Sequence, residues 1–228
     1  MQDLSRRERE RLTRRNAMLA AASEAFAEKG FADATLEEIA QRAEFGKGTL
    51  YNYFPGGKQE ILLAVFEQLY DELHAVVDRT FNTGTDRSFE ERLEQFFFEC
   101  FEFFIDRLSL FLVLMREAHR LGFSEEPAAR DFFREQRRRS LETLAAPIQR
   151  AIEDGELREM SPEMFASMIL TNVKGCQMQV CLDTECHTRP ANHTARDLAE
   201  MLTQLLMHGA SRQAAEQTPA MENESASR

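Results

Sequence analysis

Little in this sequence breaks a helix, since ten glycines and six prolines are few for 228 residues. No segment alternates apolar and polar residues at the two-residue period of a half-buried strand, and no internal repeat is found. With 43% hydrophobic residues, the composition is that of a globular, helix-rich chain able to bury a substantial core. No apolar run reaches the roughly 18 residues a membrane-spanning helix needs, so no membrane partner is expected. The polar, Arg-rich start lacks the apolar segment of a secretory signal. A cytoplasmic location is therefore expected, with the four cysteines kept reduced.

Catalytic signatures are missing too. There is no nucleophile elbow, no Gly-rich phosphate loop and no paired His-Glu metal motif, so the chain is not expected to be an enzyme or to hold a cofactor or metal. An all-helical enzyme or small-molecule carrier is the rival class, and it would need polar groups converging in a cavity.

The net charge of −11 argues at first against a nucleic-acid partner. The charge is uneven, however. Residues 1–60 hold ten Lys plus Arg and ten Asp plus Glu, whereas the remainder holds 18 basic and 29 acidic residues. Six arginines and three acids fall in the first 15 residues. This Arg run reads either as a solvated, frayed terminus or as a set of phosphate contacts beside an acidic body that keeps other faces off DNA.

The stretch from Thr35 to Phe54 reads as two short helices joined by a tight turn. Thr35 is a good N-cap, and Glu38 three residues on completes a capping box. Leu36, Ile39, Ala40 and Ala43 make one apolar face. Glu44, Phe45 and Gly46 interrupt it, and a second helix follows from about Lys47 to Phe54. Leu50 and Phe54 share its buried side. Gly48 and Asn52 then point away from that side, with Thr49, Tyr51 and Tyr53 on the flanks. A narrow, uncharged face rich in hydrogen-bonding groups suits a DNA major groove. The same periodicity also fits a helical hairpin inside an ordinary bundle.

The strings TLEEIAQRA and GKGTLYNYFPGGKQEILLAVF closely resemble the helix-turn-helix of the tetracycline-repressor (TetR) family of bacterial regulators. AASEAFAEKGFADAT before them resembles that family's first helix and turn. The likeness runs from about Asn16 to Phe66. It implies that Lys47, Gly48, Thr49, Tyr51 and Asn52 face DNA, and that Thr35, Tyr53 and Lys58 contact phosphates. Two turn positions depart from the family pattern: Glu44 stands where Gly is usual, and Gly46 where Ser is usual. A left-handed Glu44 would cost about 1 kcal/mol, and Gly46 should cap nearly as well as Ser.

Elsewhere the spacing predicts disorder over residues 1–8 and a first helix from about Glu8 to Lys29, with Leu19, Ala22 and Phe26 inward. A lever-like fourth helix is expected from about Lys58 to Asp78. An amphipathic helix from Ser88 carries Phe89, Leu93, Phe96, Phe97, Cys100, Phe101, Phe104 and Leu108. Further helices are expected over about 109–119, 127–153, 161–182 and 194–208. The fold class is thus all-α, with about nine helices, as the resemblance also implies. Residues 1–57 form the expected helix-turn-helix domain, 58–208 a ligand-binding and dimerisation domain, and 209–228 a disordered tail.

The resemblance further implies a small-molecule effector and a homodimer built through helices 161–182 and 194–208. Met164, Met168, Ile169, Met178, Met201, Leu202, Leu205 and Leu206 suit that interface, or else an intramolecular core. Phenylalanines around the fifth helix exceed one core stripe, with Phe98 and Phe103 off its main face. Phe97, Phe101, Phe104, Met115, Phe132, Phe133, Phe165 and Met168 are candidates to line an apolar effector cavity, with Asn172, Arg116, His119 and Gln177 as polar anchors. Lys174 is the only lysine beyond Lys58, so an apolar or aromatic effector is expected. Cys176, Cys181, Cys186, His187 and His193 match no zinc spacing. They read as structural thiols, with redox or metal sensing as the alternative. The functional expectation is a repressor that releases a palindromic operator when its effector binds, with an activator not excluded by the residues.

Overall fold

The structure, a computed structural model, describes residues 5–82, 86–124, 126–185 and 194–209. Among them are nine α-helices and no strand: α1 (Arg6–Asp33), α2 (Leu36–Arg42), α3 (Lys47–Tyr53), α4 (Gly57–Phe81), α5 (Phe89–Ile105), α6 (Leu108–Gly122), α7 (Pro127–Glu153), α8 (Pro162–Glu185) and α9 (Ala195–His208). No described helix is long and apolar enough to cross a membrane.

Two apolar cores hold the chain together. The first gathers α1, α2, α3, the start of α4, α6 and the start of α7 around Met18, Leu19, Phe26, Ile39, Leu50, Phe54 and Ile61. The second gathers the end of α4, α5, the end of α7, α8 and α9 around Phe89, Leu93, Phe96, Phe97, Phe101, Leu144 and Ile169. Each fully buried Phe or Leu contributes roughly 1.5–3 kcal/mol against leaving it in water. Helix α4 belongs to both cores: Ile61 to Phe66 lie in the first, and Val76, Val77 and Phe81 in the second. At 25 residues it is about 37 Å long, a stiff rod between the two. Helix α6 also packs on α1, so the helix-turn-helix shares the first core with helices later in the chain.

Three sequence expectations change. Residues 5–8 are ordered, because Ser5 and Glu8 cap each other's backbone at the head of α1; residues 1–4 lie outside the described part. Helix α5 stops at Ile105, where the chain turns through Asp106 and Arg107, and Leu108 opens α6. The apolar period does not register that turn, since Leu108 still falls on the expected face. At Thr35 the capping is one-sided. The hydroxyl accepts from the Glu38 N–H at 3.2 Å, but the Glu38 carboxylate is drawn off by Lys29 and Arg42, which hold it below the usual carboxylate range. Residues 210–228 of the expected tail, and Cys186, His187 and His193, lie outside the described residues.

Candidate nucleic-acid interface

The α2–α3 unit is built by local chemistry. Beyond α2, the Phe45 N–H reaches the Ala40 carbonyl at 2.9 Å and the Glu44 N–H reaches the Gln41 carbonyl at 3.1 Å. This pair of bonds is the Schellman ending of a helix, which demands a left-handed residue at its penultimate position. Glu44 fills that position with φ of 59°. Its Cβ makes this conformation cost roughly 1–2 kcal/mol, part of which a glycine would recover. Glu44→Gly is therefore expected to raise stability by up to about 1 kcal/mol. It should also tighten duplex DNA binding at low salt by removing an exposed carboxylate beside α3. Thermal unfolding and salt-dependent gel shifts check both, and a less stable variant would contradict the assignment of strain.

Gly46 then N-caps α3 through its backbone alone. Leu50 and Phe54 are each 1% exposed and fix the rotation of α3 against the first core. Lys47, Gly48, Tyr51 and Asn52 are left exposed, with Thr49 and Tyr53 half-buried beside them. A Cβ added at Gly48 would meet nothing within 4 Å, so the backbone there is open to close approach. Lys47 pairs with Glu37 of α2, which raises its pKa.

The candidate phosphate contacts flank this face. Thr35 is exposed, and its hydroxyl hydrogen stays available while its oxygen caps α2. The Arg11 guanidinium lies 5.8 Å from the Tyr53 ring centre, which brings Arg11 of α1 alongside α3. Arg15 lies over Phe54 at 5.5 Å and meets Glu67 at 3.4 Å. Lys58 has a second role that sequence reasoning missed. Its ammonium donates to the Ala32 and Ala34 carbonyls, each at 2.8 Å, and sits 4.8 Å over the Phe31 ring. It thus ties the end of α1 to the start of α4, and one of its three N–H groups is left for another acceptor. Only the folded turn after α1 reveals this.

The candidate effector residues fall in several surroundings. Phe97, Phe101 and Phe104 are fully buried, the first two stacked at 6.4 Å between centroids and the third edge-on to Phe111 at 5.0 Å. Phe165 is buried in the second core, while Phe133 packs edge-on to Phe66 at 5.1 Å on the first. Met115 Sδ meets Cys181 Sγ at 3.5 Å. Met168 is 48% exposed, and the Asn172 amide bonds back to its carbonyl at 2.8 Å. The His119 ring lies tilted against Phe123, 4.7 Å between centroids, and Arg116 lines a groove between α1 and α6. Burial pushes the Cys100 and Cys176 thiols up, away from the reactive thiolate. No group of three or more His, Cys, Asp or Glu side chains is placed to hold a metal ion among the described residues.

A buried helix-turn-helix frame carrying an exposed, glycine-containing second helix defines a DNA reader. Residues 18–65 match the family described as bacterial regulatory proteins, tetR family, and residues 86–178 match the tetracyclin repressor-like C-terminal domain. The two matches span more than half the chain, which belongs to the TetR family of DNA-binding transcriptional regulators. An uncharacterized HTH-type transcriptional regulator of Bacillus subtilis, YhgD, is 24% identical over 70% of this chain and 80% of its own. The HTH-type transcriptional activator FasR of Mycolicibacterium smegmatis is 41% identical, over 32% of this chain and 33% of its own. The fatty acid degradation regulator FadR of Bacillus halodurans superposes with a TM-score of 0.70 at 20% identity, covering 86% of this chain and 99% of that one. FadR from Bacillus subtilis, in complex with stearoyl-CoA, gives 0.71 at 19% identity, over 86% and 98%. These two superpositions speak to the fold.

Proposed function

We propose that the protein is a homodimeric repressor that reads a palindromic operator with α3 and releases it on binding an effector with a long apolar chain. The observation that carries this reading is the exposed face of α3, held over a core that fixes its orientation. In this reading Lys47, Gly48, Thr49, Tyr51 and Asn52 approach the bases, while Thr35, Tyr53 and the remaining N–H of Lys58 hold phosphates.

An apolar seam on α8 and α9 supports the dimer. Met164, Met168, Thr171, Gly175, Met178 and Leu182 are all exposed and recur at alternating four- and three-residue steps, the repeat of a helix-pairing seam. Met201 and Leu205 of α9, 50% and 44% exposed, add a four-residue step beside it. Isolated in water, such a stripe is a liability; against a second copy it becomes an interface.

The effector chemistry rests on the Phe-rich α5 interior and on the acyl ligand named for the Bacillus subtilis FadR structure. Phe97, Phe101, Phe104, Met115, Phe133, Phe165, Met168 and Asn172 are the proposed surroundings of that ligand. Helix α4 would carry the response, since it belongs to both cores. A ligand that favours a spacing of the two α3 helices unsuited to DNA must weaken DNA binding by the same factor.

Specificity and affinity should separate. Tyr51→Ala or Asn52→Ala is expected to change preference among operator variants by about 1–3 kcal/mol. Lys58→Ala should weaken all duplexes alike, lower the salt slope by about one unit, and cost some stability through the lost Ala32 and Ala34 bonds. Binding to an operator panel across salt checks this. Altered sequence preference in Lys58→Ala alone would contradict the placement of α3.

A further inference from the structure

A polar layer interrupts the packing of α4 on α7 where one apolar core gives way to the other. On α4, Phe66 belongs to the first core and Val76 to the second, with Tyr70 and His74 between them. On α7 the buried stripe includes Ala129, Gln136, Ser140, Leu144 and Ile148. Its polar pair lies between Ala129 of the first core and Leu144 of the second. The Ser140 hydroxyl donates to the Gln136 carbonyl at 2.9 Å and lies 3.2 Å from His74 Nε2, so the imidazole donates to the hydroxyl oxygen. Burial first, then Arg139, hold His74 below the usual histidine range against the pull of Asp71 and Asp78. Arg139 and Asp71 face each other at 3.7 Å on the exposed edge of the layer, and Asp78 is exposed as well.

Gln136 is 5% exposed, yet its side-chain oxygen has no hydrogen bond. An unmet buried acceptor is destabilising, and an apolar residue of the same shape avoids that penalty. We propose that this layer anchors the polar end of the effector, with Gln136 Oε1 accepting a hydrogen bond from a neutral N–H next to a long apolar chain. The inference rests on the effector reading above and names the ligand chemistry. An ammonium buried here would face a neutral acceptor with no buried counter-charge, and a carboxylate has no hydrogen to give. A neutral amide has the required donor, and apolar side chains border the layer on both sides, Phe66 and Ala129 on one and Val76 and Leu144 on the other. The amide of a simple fatty amide and the amides of an acyl thioester's pantetheine arm offer the same group.

Four probes test this on the full-length protein: octadecanamide, N,N-dimethyloctadecanamide, methyl octadecanoate and stearoyl-CoA. The wild type is expected to bind octadecanamide about tenfold more tightly than its dimethyl or ester analogues. Gln136→Met keeps the volume and removes the acceptor. It should erase that preference while leaving the melting temperature of the free protein unchanged or raised. A parallel loss for stearoyl-CoA would assign the N–H to a pantetheine arm, and a loss for octadecanamide alone to a simple amide. Equal binding of the first two probes by the wild type, a preference for the ester, or a preference that survives Gln136→Met each overturns the proposal while the effector reading stands. Gln136→Leu gives the same comparison if the methionine variant does not fold. If none of the four probes binds, the inference and the effector reading fall together.

Discussion

Leu205→Glu is expected to leave the protein folded but monomeric, and to lower operator affinity by more than about a hundredfold. Leu205 is 44% exposed in the single chain, so an acidic side chain there meets water and leaves the fold intact. In a dimer the same side chain would face its symmetry copy in an apolar seam, and two buried carboxylates cannot both stay ionised without a large penalty. Loss of the partner removes the second half-site contact, and such linkage contributes a factor of about 10²–10⁴ to avidity. Light scattering gives the mass and gel shifts give the affinity. A variant that remains dimeric would place the interface elsewhere on the surface.

The second large effect is that of the effector. A long-chain acyl ligand at about 100 times its Kd should stabilise the protein by about 2.7 kcal/mol. For a chain of this size that is roughly 5–10 °C in melting temperature. The same ligand should weaken operator binding by about 5–150-fold, the usual range of coupling between two sites. Phe101→Trp is expected to blunt both responses while operator binding by the free protein persists. Phe101 is 0% exposed in the second core, so overpacking of about 1–3 kcal/mol accompanies the change. A variant with normal stability, normal DNA binding and an unchanged ligand response would remove Phe101 from the pocket. If no apolar compound stabilises the protein while thiol oxidants or metal ions release DNA, Cys176, Cys181 and Cys186 become the better sensor.

Much of the helix-turn-helix was legible because its determinants lie close in sequence. Thr35 as a cap, the turn at Glu44 and Gly46, and the buried pair Leu50 and Phe54 all act over four residues or fewer. Even the left-handed Glu44 could be anticipated from the turn's glycine preference. Lys58 could not be read the same way, because its partners are carbonyls at the end of α1, more than twenty residues back. Ser5 and Glu8 carried a capping signal that the Arg-rich composition around them masked. Periodicity placed the phenylalanines of α5 on buried faces, but helical spacing does not distinguish a packed core from a ligand pocket. The polar pair Gln136 and Ser140 did leave a trace, since two polar residues four apart sit on the face that Ala129, Leu144 and Ile148 bury. The seam of α8 was only half visible: the methionines marked it, whereas Thr171 and Gly175 joined it only once their exposure was known.

The most direct test of the central claim is a footprint of the wild-type protein on a duplex selected from random sequence, with the mass of the complex measured on the same DNA. The account predicts two symmetric half-sites centred one helical turn apart, about 34–36 Å, or a multiple of it. It also predicts two chains, or a multiple of two, per duplex. One asymmetric half-site protected by a single chain would contradict it.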